Sequence, residues 1–123
     1  MSKATAKQKQ WMQDISELIQ EFGFMELYGE EFCNYNFELH HVLGRSAKHN
    51  KVPIGHWFII PVPTHLHNVM SNNPINVTHF KNRFTEKYGN QREIFSTLCD
   101  MLRDHGVEMP PNEVLNQIMD TNS

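Results

Sequence analysis

Two nearby segments decide the fold of this chain: ELHHVLGR at residues 38–45 and HWFIIPVPTHLH at residues 56–67. Apolar or aromatic residues alternate with polar ones around the first segment, which predicts a β-strand over residues 34–43. The second segment opens with β-branched and aromatic residues and predicts another strand over residues 56–62. Pro63 suits the first turn of a helix, so we expect a short helix over residues 64–70.

Helices are predicted on both sides of this strand, loop, strand, helix unit. An apolar stripe at helical spacing predicts a helix over residues 4–22 that ends at Gly23. The stripe consists of Trp11, Ile15, Leu18, Ile19 and Phe22. The segments beyond the unit predict three more helices, over residues 77–88, 91–105 and 112–119. Residues 44–55 are polar and predict a loop.

The expected fold class is therefore α+β and mostly helical. At 123 residues one domain is the natural expectation, and it is long enough for a real core. We divide it into an N-terminal helical region (1–33), a core (34–72) and C-terminal helices (73–123).

Histidines and charges are unevenly distributed. No Asp or Glu occurs from Leu39 to Thr85. Between His40 and Arg92, seven basic residues face only one acid, Glu86, so this segment carries +6 while the remainder carries −9 and the whole chain −3. Seven of the eight histidines lie in the same region: His40, His41, His49, His56, His65, His67 and His79. A local positive field suits a polyanion such as nucleic acid, unless unrelated surface charges happened to segregate.

Composition excludes several classes of protein. Two cysteines, Cys33 and Cys99, rule out a disulfide framework or a CxxC zinc knuckle. No apolar run approaches the ~18 residues of a membrane-spanning helix. The first ten residues lack the apolar stretch of a signal peptide. We therefore expect a cytoplasmic protein without a membrane partner.

The ordered histidine series resembles that of the HNH nucleases, also called ββα-metal or His-Me finger nucleases. The run THFKNRFTEKYGNQREIF at residues 78–95 is similar to the following segment of phage HNH proteins of the recombination-enhancement (Ref) type. The resemblance covers residues 34–98 and implies a small ββα-metal core with flanking helices. It also implies a metal-dependent endonuclease that hydrolyses DNA with a His-activated water, leaves a 3′-hydroxyl and acts in phage recombination or DNA processing.

The resemblance implies roles for individual histidines. By motif register, His41 is the general base and His40 a metal ligand, and the motif leaves open which of the two takes which role. His56 stands nearest the place of the family's middle Asn and is expected to orient the base or the substrate. His67 and His79 are the other expected metal ligands.

The expected cofactor is one divalent ion. Mg²⁺ or Mn²⁺ would serve catalysis, and imidazole ligands also suit Zn²⁺ or Ni²⁺. The expected partner is double- or single-stranded DNA, with a recombination protein as a possible second partner and the oligomeric state left open. The expected phosphate contacts are the cations of the acid-free region and the helix after it: Arg45, Lys48, Lys51, Lys81, Arg83 and Lys87.

Two features depart from the family pattern. The middle Asn is not obvious, since His56 stands nearest its place and Asn50 lies in the preceding loop. The PLC-like segment before the helix is Pro61-Val62-Pro63, so no structural zinc is expected. Two other functions stay open. One is an HNH-like module that binds nucleic acid without cutting it, and the other is a metal-binding protein or small-molecule enzyme. Each histidine can also be a structural or surface residue.

Overall fold

A computed structural model describes residues 3–30, 36–67, 77 and 81–123. Its first helix, α1 (Ala6–Phe22), begins at a capping box in which the Thr5 hydroxyl accepts from the Gln8 amide and the Gln8 side chain accepts from the Thr5 amide. The helix ends at Gly23, whose φ of 74° few other residues adopt. This confirms the predicted first helix and its end. A single-turn helix, α2 (Met25–Tyr28), follows.

The predicted strands form an antiparallel pair, β1 (Phe37–His41) and β4 (Ile59–Pro63). Leu39 lies opposite Pro61, and His41 lies opposite Ile59. Every residue of β4 is buried. The strand predicted over 34–43 is shorter in the structure, and its residues 34 and 35 lie outside the described part. Pro63 was expected to open the helix, and it closes β4 instead.

The predicted loop over residues 44–55 contains a small hairpin, so that prediction is wrong in part. Strands β2 (Lys48–His49) and β3 (Val52–Pro53) pair antiparallel. Asn50 and Lys51 join them with positive φ values of 49° and 70°. Two left-handed residues in succession are the geometry of a type I′ turn, whose twist matches that of the paired strands.

Beyond β4, the described residues form four helices: α3 (Thr64–His67), α4 (Lys81–Tyr88), α5 (Gln91–Asp104) and α6 (Asn112–Met119). The last two confirm the predictions for their segments to within a residue. The predicted helix over 77–88 is described as helical from Lys81, with Val77 in a turn and residues 78–80 outside the described part. The predicted end of the short helix, residues 68–70, also lies outside it.

The core forms where α1 and α5 pack against β4. The ring of Phe95 on α5 meets Phe58, just before β4, edge to face at 5.2 Å and Trp11 on α1 at 6.4 Å. Trp11 also donates its indole N–H to the Trp57 carbonyl at 3.0 Å, which attaches α1 to the turn before β4. The fold is thus a mixed α+β arrangement whose helices hold β4 and its preceding turn in place. Among the described helices, none combines the length and the apolar character needed to cross a membrane.

Candidate functional site

The adjacent residues His40 and His41 lie on opposite faces of β1. Successive side chains of a strand alternate between its two faces, and this pleat separates the two imidazoles. His41 lies against His56, with their ring centroids 5.2 Å apart. His40 lies against His67 of α3, with centroids 4.9 Å apart. The five predicted site histidines therefore do not all converge: four of them form two pairs, one on each side of β1.

The His41–His56 pair is joined by a hydrogen bond, with Nε2 of His41 lying 3.2 Å from Nδ1 of His56. His56 is only 6% exposed and belongs to the turn before β4, not to the strand itself as predicted. Gly55 explains that turn, because a Cβ atom there would lie 2.2 Å from the Arg45 carbonyl oxygen. Only glycine allows this close approach, and the approach brings His56 beneath the end of β1.

The hydrogen bond between the two imidazoles links the tautomer of one ring to that of the other. An imidazole-to-imidazole hydrogen bond uses one N–H and one lone pair, so the two outer nitrogens are always one donor and one acceptor. Burial, together with the neighbouring His56 and Arg45, lowers the pKa of His41 to about 4. A neutral His41 with a free lone pair is able to accept a proton.

A pocket of about 460 Å³ opens beside this pair. Its lining carries three cationic side chains and no carboxylate. Among residues 3–30, 36–67 and 81–123, no ion pair involves Lys3, Lys9 or Arg45. The lining residues come from the start of α1, the end of β1 and the turns beside it: Lys3, Ala4, Lys9, Met12, His41, Arg45 and His56. Such a pocket favours an anion next to the imidazole pair.

The second pair, His40 and His67, includes a carboxylate. Oε2 of Glu38 lies 2.7 Å from Nδ1 of His67, and both side chains are partly exposed. This contact occupies Nδ1 of His67, in the way that outer carboxylates orient histidine ligands. Two imidazoles bound to one ion at about 2.1 Å have ring centroids about 5 Å apart, which is close to the observed spacing.

His40 is held neutral by its surroundings. Burial lowers its pKa to about 4, and the charges of His67, His41 and Lys81 act in the same direction. The buried amide of Gln91 opposes this shift slightly. The Oε1 atom of Gln91 is buried and makes no hydrogen bond within the described residues, so its hydrogen-bonding capacity is not fully used.

The metal prediction rests on His40, His67 and His79. The structure places the first two together, and His79 lies outside the described residues. Within the described ranges, no group of three or more His, Cys, Asp or Glu side chains is arranged to hold a metal ion. The described part therefore brings two imidazoles and one carboxylate together at this place.

The predicted phosphate contacts do not gather at one place. Arg45 lines the pocket beside His41, and Lys81 at the start of α4 lies near enough to His40 to lower its pKa. Arg83 and Lys87 are exposed on α4. Lys48 and Lys51 are exposed on the β2–β3 hairpin.

The hairpin that carries these last two lysines is attached to α6. Its His49 Nε2 lies 2.8 Å from Oδ2 of Asp120, and its Asn50 donates to Gln117 at 2.9 Å. The hairpin therefore packs against the C-terminal end of α6.

Three residues near the histidine pairs were missed from the sequence. Lys3 and Lys9 were counted with the acidic remainder of the chain, and Gln91 carried no signal as the first residue of a helix. The two lysines precede the histidines by more than thirty residues. The one available signal is the spacing of Lys9 and Met12, which lie three residues apart and therefore share a face of the predicted first helix.

Comparison with protein-family models finds no match, and comparisons with curated proteins and with solved structures find no significant similarity. The resemblance to HNH nucleases therefore rests on the sequence motifs of this chain.

Proposed function

We propose that this protein is a metal-dependent endonuclease that hydrolyses DNA phosphodiester bonds. The observation that carries the proposal is the hydrogen-bonded pair of His41 and His56 beside a pocket lined by cations and free of carboxylates. A phosphodiester is an anion that needs a nearby base and a positive surface, and this pocket offers both.

The pair supports a division of labour between its two histidines. His56 is almost fully buried, whereas His41 is only half-buried and reaches the pocket. When Nε2–H of His41 donates to Nδ1 of His56, Nδ1 of His41 keeps its lone pair and takes the proton of a water. The water oxygen then bonds to phosphorus, the P–O3′ bond breaks, and the leaving 3′-oxygen takes a proton from solvent. His56 acts by orienting His41.

His40 and His67 support a divalent cation on the other side of β1. Both imidazoles lie close together, Glu38 orients one of them, and His40 is neutral. The donor set of imidazoles fits Zn²⁺, Ni²⁺ or Mn²⁺, and fits Mg²⁺ where phosphate and water complete the shell. When bound, the ion would supply charge neutralisation to a phosphate that reaches that face of β1.

The test is a cleavage assay on plasmid and on single-stranded DNA with Mg²⁺, Mn²⁺, Ni²⁺ or Zn²⁺. Wild type should cleave, and His41→Ala should lose about 10²–10⁴-fold in rate. His65→Ala, which removes an exposed imidazole two residues from His67, is the matched control and should keep the wild-type rate. Equal cleavage by wild type and His41→Ala would remove His41 as the base.

A binding module that does not cut DNA is the second candidate, because His56 replaces the family's middle Asn. No cleavage with any of the four metals, together with DNA binding that weakens as salt is added in a separate titration, would favour that module. The predicted role in phage recombination or DNA processing stays a prediction from the resemblance.

A further inference from the structure

We propose that Lys3, which precedes α1, and Lys9, in its first turn, bind the DNA phosphate next to the one beside His41. This inference rests on the proposed function, since it names a part of the same substrate site. It extends that site to an N-terminal segment that the histidine series does not include.

Helix geometry separates the three N-terminal lysines. The capping box at Thr5 sets the first turn, and the Lys9 amide donates to the Thr5 carbonyl at 2.9 Å. Residues two apart on an α-helix are rotated by about 200°, so Lys7 and Lys9 lie on different faces. Lys9 and Met12, three residues apart, share a face and both line the pocket beside His41.

The position of Lys7 provides an internal comparison. Its Nζ atom lies 3.8 Å from Oε1 of Glu108, and it lines a different pocket, next to Trp57. Lys3 and Lys9 have no carboxylate partner among the described residues. Uncompensated cations that face one pocket are typical of an anion site, whereas a paired lysine on the neighbouring face is not.

The contact between α1 and the strands holds this arrangement together. Trp11, two residues after Lys9, donates to the Trp57 carbonyl, and Trp57 follows His56 directly. The start of α1 is therefore attached to the turn that carries one member of the histidine pair. Arg45 completes the cationic lining from the other side, while Ala4 and Met12 form an apolar wall.

The experiment measures binding without cleavage. The full chain carries His41→Ala, divalent ions are chelated, and a labelled single strand and a duplex of the same sequence are titrated at several NaCl concentrations. Lys3→Gln with Lys9→Gln should reduce the slope of log K against log[NaCl] by about 1.4 on the single strand or about 1.8 on the duplex. The form of DNA, single-stranded or duplex, whose slope falls by the expected amount is the form that occupies the pocket. Lys3→Arg with Lys9→Arg should keep the original slope.

Lys7→Gln is the control, because it removes one cation from the first turn of α1 outside the pocket. It should leave the slope unchanged. An equal reduction in Lys7→Gln, or no reduction in the double Gln variant, would overturn the proposed phosphate contact. The cleavage assay tests the nuclease proposal separately. If the salt slope depends on Lys3 and Lys9 but no DNA is cleaved, only the nuclease proposal is rejected. If DNA is cleaved but the slope is unchanged, only the proposed phosphate contact is rejected.

Discussion

Glu38 of β1 and His67 of α3 are joined by a contact of 2.7 Å between Oε2 and Nδ1. The two residues are 29 positions apart in sequence, and the packing of α3 against β1 and β4 brings them together. The contact occupies Nδ1 of His67 and fixes its ring beside His40.

Loss of this carboxylate should weaken metal binding. Glu38→Ala should lower the affinity for Ni²⁺ or Zn²⁺ by about 10- to 100-fold, because His67 loses the group that fixes its ring and tautomer. Glu38→Gln keeps an acceptor oxygen and should lose less. Isothermal titration calorimetry on the full chain measures both, with His65→Ala as the unaffected control. Wild-type affinity in Glu38→Ala would show that His67 is not a ligand.

Replacement of His56 should separate its orienting role from its packing role. His56→Asn keeps a buried acceptor for the Nε2–H of His41 and should retain cleavage within about tenfold. His56→Leu fills similar space without any acceptor and should lose about 10²–10³-fold, since His41 is then no longer held in its tautomer. The single-turnover cleavage rate is the measurement. Equal rates in the two variants would contradict an orienting hydrogen bond.

Stability should fall as the solution becomes acidic. The native pKa values of His40 and His41 are about 4, below the ordinary value of 6.5, so the unfolded chain binds more protons between these limits. The free energy of unfolding should therefore decrease as pH falls from about 6.5 to about 4, by about 1–2 kcal/mol per histidine after allowance for solvent screening.

Urea titrations at a series of pH values measure this slope. His40→Gln and His41→Gln should each flatten it through the acidic window, because the group that must be protonated is gone. His65→Gln, which removes an exposed imidazole, should keep the wild-type slope. A wild-type slope in both buried-site variants would mean that neither histidine is held neutral by the fold.

The hydroxyl of Tyr28 should matter more for stability than that of Tyr88. Tyr28 is 7% exposed and donates to the Pro61 carbonyl within β4 at 2.5 Å, whereas the half-buried Tyr88 donates to Glu30. Tyr28→Phe leaves a buried carbonyl without this donor and should cost about 1–3 kcal/mol, against about 0.5 kcal/mol for Tyr88→Phe. Urea denaturation of the pair tests the order, and a larger loss in Tyr88→Phe would reverse it.

Much of the secondary structure could be predicted because its signals are local. Four of the five residues in the predicted stripe of α1 are buried on one face, whereas the fifth, Phe22, is 46% exposed. The β2–β3 hairpin was missed because each strand has two residues, too few to show alternation, and its turn uses Asn50 and Lys51 instead of glycine. His56 was misplaced because the close approach of Gly55 to Arg45 ends the strand pattern without any local sign.

The sequence by itself determined that His40 and His41 face opposite ways, since the pleat of a strand depends only on the backbone. It also concentrated histidines and positive charge in the middle of the chain. Only the tertiary structure decided which side chains meet: His41 with His56, His40 with His67, and the lysines at the start of α1 with the pocket. These contacts depend on the register of β1 with β4 and on the packing of α1 against β4. Both are set by the packing of the whole core, which no short stretch of sequence contains.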